Sequence, residues 1–273
     1  MKTALLTTAF LGLIAGAAQA ADLPADIASS KTLHLTVNGT YAPFEYVDPD
    51  TNKLKGLDID LANAIADKLG LKIEWTNTAF AQLIPSLDTG RSDFVISGFS
   101  DRESRRKTLD FVDYLESGPQ FMVMAKSDIK SPEELCGKKV STTRSTSYPA
   151  EIAAWSKANC EAKGKPAIEY VPAENSIYAR QAMQQGRVDA VVQGSTTVPY
   201  VMQQTPDTFR GIGKAFSIGY YGIAFPKKST QLREVVTEAL DGLIKDGTYG
   251  KILTKYGLQD SAVAKPMLNA ATQ

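Results

Sequence analysis

One stretch of the sequence combines residue types that bind anions, and it runs Ser97-Gly98-Phe99-Ser100-Asp101-Arg102-Glu103-Ser104-Arg105-Arg106-Lys107. Ser100 and Glu103 have the spacing of a capping box, which predicts that a helix begins here with its first backbone N–H groups exposed. Such a helix terminus attracts carboxylate or phosphate. Arg105 lies one turn further on, so its guanidinium can reach the same anion and bind two oxygens. Ordinary capped surface helices show the same pattern, so the stretch does not identify a site by itself.

The segments before this stretch alternate between strand and helix patterns. Leu33, Leu35 and Val37 alternate as in a strand, and the polar loop that follows contains Asn38 and Tyr41. The next predicted elements are a helix over 57–69, a strand over 71–75, a helix over about 81–89 and a strand over 93–96. This alternation predicts a mostly parallel sheet, whose ligands bind at loops after the carboxyl ends of the strands.

The same architecture is predicted a second time beyond residues 117–119. Its elements are strands over 121–125, 139–143 and 188–193, helices over about 149–158 and 175–185, and a return strand over 219–225. The chain is therefore predicted to cross twice between two lobes, near 117–119 and near 217–221, and two crossing strands suit a hinge. Helices over 231–245 and 248–255 are expected to pack on the first lobe, and the small-residue tail is expected to be loose.

Composition and charge limit the class of protein. Residues 1–20 have a basic start, an apolar run and the small-residue pattern Ala18-Gln19-Ala20, which predict a secretory signal peptide. The chain has 30 basic and 30 acidic residues, and the loss of Lys2 with the signal peptide leaves 29 against 30. This balance gives no general reason to bind nucleic acid or an anionic membrane. The remaining length usually folds as two domains.

The sequence also lacks the motifs of several catalytic classes. It has no Gly-x-Ser-x-Gly elbow for a hydrolase and no phosphate loop with Lys-Ser/Thr for an ATPase. Cys136 and Cys160 are expected to form one disulfide in an exported protein, with reduced thiols or metal ligands as the alternative. His34 is the only histidine and lies far upstream of both cysteines, so no metal and no cofactor are expected.

Several motifs together resemble the polar amino-acid family of periplasmic solute-binding proteins, which serve ABC importers. The first is Gly98-Phe99-Ser100 with Arg105, followed by Asp110-Phe111-x-x-Tyr114. The others are Tyr41-Ala42-Pro43-Phe44-Glu45-Tyr46, Gly56-Leu57-Asp58-Ile59-Asp60-Leu61, Gly186-Arg187-Val188-Asp189-Ala190 and Asp246-Gly247-Thr248-Tyr249. They follow the order and spacing of the family over nearly the whole mature chain.

The resemblance implies an α/β fold of the two-lobe periplasmic-binding-protein type (type II), in which each lobe is a mostly parallel sheet flanked by helices and a two-strand hinge joins the lobes. The implied division is a signal peptide over 1–20, a first lobe over 21–118 with 219–273, and a second lobe over 119–218. The implied ligand-binding residues are Asn38, Tyr41, Phe80, Ser97, Gly98, Ser100 and Arg105 on the first lobe, and Thr143, Thr146, Ser147 and Gly194 on the second. Tyr41 and Phe80 would supply aromatic walls.

Three positions depart from the family's pattern. Many members carry an aspartate that pairs with the α-ammonium of the ligand, and Gly194 stands at that position here. Either Glu174, Gln193 or nearby carbonyls take over, or the ligand lacks a free primary α-amine. Asn38 replaces an acid that binders of basic amino acids often have, which disfavours lysine, arginine and ornithine. Arg102 replaces a common threonine and either binds a second carboxylate or faces solvent.

The expected function is therefore that of a monomeric periplasmic binding protein rather than an enzyme. It would capture an amino-acid-like carboxylate between the lobes and deliver it to the permease subunits of an ABC importer in the inner membrane. Two alternatives use the same fold: an enzyme similar to cyclohexadienyl dehydratase, which needs a carboxylic acid in the cleft, and a ligand-sensing domain for a receptor.

Overall fold

The computed structural model describes residues 22–272, in which strands and helices alternate along the chain; the predicted signal peptide lies outside these residues. The helices are α1 Ala25–Ser30, α2 Leu57–Leu69, α3 Leu83–Asp88, α4 Tyr148–Asn159, α5 Ser176–Gln184, α6 Thr197–Gln204, α7 Thr230–Lys245 and α8 Thr248–Lys255. The strands are β1 Thr32–Val37, β2 Thr40–Tyr41, β3 Glu45–Val47, β4 Leu54–Lys55, β5 Lys72–Asn77, β6 Phe94–Val95, β7 Leu109–Ser117, β8 Pro119–Met124, β9 Lys139–Thr143, β10 Glu169–Ala173, β11 Ala190–Gly194, β12 Phe209–Ile212, β13 Gly219–Pro226 and β14 Ala262–Leu268.

Two large sheets carry these elements, and the predicted two-lobe α/β fold is confirmed. The first lobe contains a six-stranded sheet of order β14-β7-β13-β6-β1-β5, and the second a five-stranded sheet of order β10-β9-β11-β8-β12. Both sheets are mixed rather than mostly parallel. β5, β1 and β6 pair in parallel, as do β10, β9 and β11, whereas β7, β8, β12, β13 and β14 pair antiparallel.

Each sheet has its own hydrophobic core, which explains why the lobes are separate units. In the first lobe, Leu57, Leu61 and Ile65 are fully buried at four-residue intervals, so that α2 covers the sheet with one face. Gly70 ends this helix in the left-handed conformation, at a φ of 67°. Helices α7 and α8 pack on α2, as expected from the sequence. In the second lobe, Phe121, Val140 and Val192 form the centre of a separate cluster.

The chain changes sheets at two adjacent crossings. It passes from β7 to β8 through Gly118 and returns between β12 and β13. A Cβ atom on Gly118 would lie 1.8 Å from the carbonyl oxygen of Ser217, so only glycine lets the two crossing segments approach this closely. The predicted residue boundaries of the lobes, at 118/119 and 218/219, remain a prediction.

The C-terminal tail is ordered against the first lobe as far as residue 271, so the expectation of a loose tail is wrong. Strand β14 pairs with β7, and the next backbone N–H groups bind buried carboxylates. Ala270 donates to Asp113 at 2.9 Å and Ala271 donates to Asp101 at 3.1 Å. These partners lie more than a hundred residues away in the sequence, which is why the tail itself gave no sign of them.

Cys136 and Cys160 form a disulfide, as predicted, with 5.4 Å between their Cα atoms. It joins the end of α4 to the turn that precedes β9. Among residues 22–272, no helix has the length and apolar character needed to cross a membrane.

Candidate functional site

The candidate site is the cleft where loops of the two lobes face each other. Its first-lobe lining is Asn38, Thr40, Tyr41, Phe80, Gly98, Ser100 and Arg105, and its second-lobe lining is Thr142, Thr143, Thr146, Tyr148, Ser176, Val192 and Gln193. Most of these residues follow the carboxyl ends of β1, β6 and β9 or begin α4 and α5, where ligands of such sheets bind.

No helix begins at Ser100, so the helix predicted from the capping box is wrong. Residues 103–108 form turns, and Ser100 makes a single antiparallel bridge with Tyr221 of β13. The next residue, Asp101, donates its N–H to the carbonyl of Tyr220 at 2.9 Å. Strand β13 therefore holds the backbone at Ser100 and Asp101, and turns rather than a helix follow. A local sequence pattern does not reveal this partner.

Arg105 nevertheless reaches the cleft. Its Cζ lies 4.0 Å from the centre of the Phe99 ring and 5.9 Å from that of Phe80, so the guanidinium stacks on aromatic rings. Its Nη1 donates to the carbonyl of Ser100 at 2.7 Å, which fixes its direction. Burial, with a smaller contribution from the like charge of Arg102, lowers the pKa of Arg105 to about 10. The side chain is thus still cationic at neutral pH.

The glycine of this loop is required by its geometry. Gly98 has a φ of 49°, and a Cβ atom there would lie 2.8 Å from the ring of Tyr41. Its N–H donates to Oδ2 of Asp58 at 2.6 Å, so Gly98 lines the cleft without offering this N–H to a ligand. Ser97 lies behind the loop rather than in the cleft, because its hydroxyl donates to Glu45 at 3.0 Å and accepts from the N–H of Asn38.

A pair of buried carboxyls, Glu45 and Asp58, supports the loop from behind. Asp58 also accepts a hydrogen bond from the hydroxyl of Tyr114 at 2.6 Å. Burial raises the pKa of Asp58 to about 6. Burial also raises the pKa of Glu45 well above its usual range, and the neighbouring charge of Asp58 raises it further. The pair therefore retains at least one proton at a pH where both carboxyls would be ionised in the unfolded chain.

We expect Glu45→Gln to flatten the pH dependence of stability. Between the unfolded pKa values near 4 and the raised folded values, the folded protein binds more protons, so this pair makes the free energy of unfolding fall as pH rises. Glutamine cannot ionise, so the variant should gain about 1–3 kcal/mol relative to wild type between pH 4 and pH 7. Urea unfolding across this range measures the difference. The exposed Glu116→Gln is the control, and a variant with the wild-type slope would contradict the prediction.

On the second lobe, Thr143 and Thr146 line the cleft and Ser147 lies beside it. The hydroxyl of Thr146 donates to the carbonyl of Thr143 at 2.8 Å and accepts from the N–H of Tyr148, which shapes the turn before α4. Ser147 is the N-cap residue of α4, but its hydroxyl does not cap the helix. It lines an adjoining opening together with Arg102 and Glu151.

Three tyrosine hydroxyls meet at Gly194. The hydroxyl of Tyr221 lies 2.9 Å from that of Tyr41 and 2.8 Å from that of Tyr148, and Gly194 donates its N–H to Tyr41 at 3.1 Å. A Cβ atom on Gly194 would lie 2.4 Å from the Tyr221 oxygen and 2.7 Å from the Tyr41 oxygen. Burial raises the pKa of Tyr148 and of Tyr221, which keeps both hydroxyls neutral. Gly194 itself lies behind these hydroxyls rather than on the cleft surface.

The lobes are in contact across the cleft, so the arrangement is closed. Arg102 forms an ion pair with Glu151 of α4 at 2.6 Å, and both side chains are largely buried. Ser176 of α5 donates to the carbonyl of Thr40 at 3.1 Å. Arg102 thus neither faces solvent nor remains available for a second carboxylate, and the two roles considered from the sequence are replaced by a contact between lobes.

Eight of the eleven predicted ligand-binding residues line the cleft, and the exceptions are Ser97, Ser147 and Gly194. Their roles in binding remain predictions. Sequence reasoning missed Thr40, Thr142, Tyr148, Ser176 and Val192. Thr142 could have been found because it precedes Thr143, the last residue of β9, whereas nothing local joins Tyr148 to Tyr221, 73 residues away.

Two lobes, a double crossing and an arginine in the cleft between them define a protein that binds a small solute by closing around it. Residues 33–259 match the family described as bacterial extracellular solute-binding proteins, family 3, and the chain belongs to this family. It is a solute-binding protein rather than an enzyme, and the cleft between its lobes is the candidate site for the solute.

Relatives and solved structures agree with this class. The arginine-binding protein ArgT of Corynebacterium glutamicum is 29% identical over 90% of this chain and 81% of its own length. An ancestral arginine-binding protein bound to arginine is 36% identical, with a TM-score of 0.75 over 83% of this chain and 98% of its own. The ancestral amino acid-binding protein AncCDT-1, a precursor of cyclohexadienyl dehydratase, is 30% identical, with a TM-score of 0.75 over 85% of this chain and 97% of its own.

Proposed function

We propose that this protein is the periplasmic receptor of an ABC importer, which binds the carboxylate of its solute at Arg105 and delivers it to permease subunits in the inner membrane. It acts as a monomer. The observation that carries the proposal is the position of Arg105: a cation that stacks on Phe99, lines the cleft and forms no ion pair with a carboxylate of residues 22–272. A partly buried cation of this kind favours an anionic partner, because the ion pair offsets its desolvation.

The second lobe would complete the site when the lobes close. Thr143 and Thr146 lie across the cleft from Arg105, and a carboxylate bound to the arginine would also accept hydrogen bonds from this wall. Contacts that exist only in the closed form make the ligand favour that form. The permease would then distinguish the loaded protein by its closed shape.

The geometry gives no support to the dehydratase alternative. That chemistry needs a carboxylic acid that expels a leaving group, and among the described residues that line the cleft none is aspartate or glutamate. Glu174 stands at an adjoining opening, where it pairs with Arg144 at 2.5 Å.

A thermal-shift screen of ligand-stripped protein tests the proposal. The compounds are the standard amino acids, opines and carboxylates without a primary amine. A carboxylate at a hundred times its dissociation constant should add about 2.7 kcal/mol of stability, which raises the melting temperature clearly. Matched amides without the carboxylate are the controls. Equal shifts with the amides, or no shift with any carboxylate, would contradict the proposal.

A further inference from the structure

The space at Gly194 is filled by neutral groups rather than by a carboxylate. The hydroxyls of Tyr41, Tyr148 and Tyr221 bind one another there, and a side chain on residue 194 would collide with two of them. A hydroxyl can accept a hydrogen bond from an ammonium group but carries no charge that offsets its desolvation. The space that a side chain on residue 194 would need is therefore occupied by the tyrosine hydroxyls and is not empty.

The described lining of the cleft contains a cation and no carboxylate. Arg105 is the one ionised side chain among the described lining residues. A second cation, Arg180 of α5, lies behind the wall and donates to the side-chain oxygen of Gln193 at 3.2 Å. Neither arginine pairs with a carboxylate of residues 22–272. Arg105 therefore gives the cleft lining a positive charge, and none of the described lining residues is a carboxylate that could offset it.

The nearby carboxylates already have partners. Glu151 pairs with Arg102, and Glu174 pairs with Arg144. Glu45 and Asp58 lie behind the loop of Gly98. Glu174, one of the two side chains that could replace the missing aspartate, is thus already paired. The other, Gln193, accepts from Arg180 and donates to the carbonyl of Ser176 at 3.2 Å. Its amide oxygen already accepts from a cation.

We infer that the cleft selects a carboxylate anion that carries no positively charged amine, such as an N-acylated amino acid or a 2-hydroxy acid. The inference rests on the proposed function and narrows its ligand class. A zwitterion would bring its ammonium group into a cleft whose ionised lining side chain is Arg105 and whose tyrosine hydroxyls, those of Tyr41 and Tyr148, are neutral. A carboxylate with a neutral nitrogen or oxygen fits both the cation and the neutral hydroxyls. The tyrosine hydroxyls can then bind an amide or hydroxyl group by neutral hydrogen bonds.

Calorimetric titration of the ligand-stripped protein with matched probes tests the inference. For each standard amino acid, the probes are the free form, the Nα-acetyl form and the corresponding 2-hydroxy acid. We expect the tightest ligand to be amine-free and to bind at least about tenfold more tightly than its free amino acid. A free amino acid that binds as tightly as its two counterparts would overturn the inference and leave the proposed function intact. No binding by any probe to the folded protein would contradict both.

A variant pair assigns the selectivity to this cluster. Gly194→Asp/Tyr221→Phe introduces a carboxylate and removes the hydroxyl nearest to the new Cβ, and Tyr221→Phe alone is the matched control. We expect the preference for the amine-free probe over the free amino acid to fall at least tenfold in the double variant relative to the control. Urea unfolding verifies that both variants fold. An unchanged preference in a folded double variant would contradict the role of Gly194.

Discussion

Arg105→Ala should weaken binding of the best carboxylate by at least about 30-fold, because loss of one partner of a desolvated charge pair costs about 2–5 kcal/mol. In the cleft, the arginine is directed by the carbonyl of Ser100 and by the rings of Phe99 and Phe80. No other side chain among the described lining residues carries a positive charge. Alanine at this position therefore leaves the ligand's carboxylate without a counterion. Calorimetric titration measures the change.

Two further variants separate the charge from its geometry. Arg105→Lys keeps a cation but loses the planar fork, so its affinity should fall between those of wild type and Arg105→Ala. Arg91→Ala removes an exposed arginine that donates to the hydroxyl of Thr89, and its affinity should match wild type. Binding by Arg105→Ala within threefold of wild type would remove Arg105 from the mechanism and, with it, the main support for the proposed function.

Loss of the disulfide should lower the free energy of unfolding by about 3 kcal/mol. Cys136 and Cys160 are 24 residues apart, so the bond restricts the unfolded chain by closing a loop of moderate length. It also joins the end of α4 to the turn before β9, and α4 begins at Tyr148 in the cleft. Urea unfolding of Cys136→Ala/Cys160→Ala against the oxidised wild type measures the difference.

The alanine substitutions also remove side-chain volume, so the control is wild-type protein unfolded in the presence of a reductant. Cys160 is fully buried, so alanine there removes packing as well as the bond, whereas reduction removes the bond alone. The reduced wild type should show most of the loss. Equal stability of the oxidised and reduced proteins would show that closing this loop adds nothing to the free energy of unfolding.

The sequence alone determined most of the elements and the general place of the site. Helix α2 was predicted over its observed range, because its apolar residues repeat at helical spacing and Gly70 ends it. Strand β9 was also predicted over its observed range. Eight of the eleven positions that the family resemblance marked, including Tyr41 and Arg105, line the cleft. These features depend on short-range patterns and on motif order, and both are visible in one chain.

Only the tertiary structure decided the features that depend on distant partners. The capping box at Ser100 yields no helix, because β13, more than a hundred residues later, binds the backbone of that loop. The tail is docked because Asp101 and Asp113 accept its N–H groups. The hydroxyls at Gly194 come from three separate segments of the chain. Hydrogen bonds between residues far apart in sequence form only when packing brings their elements together. Local sequence patterns therefore do not predict them.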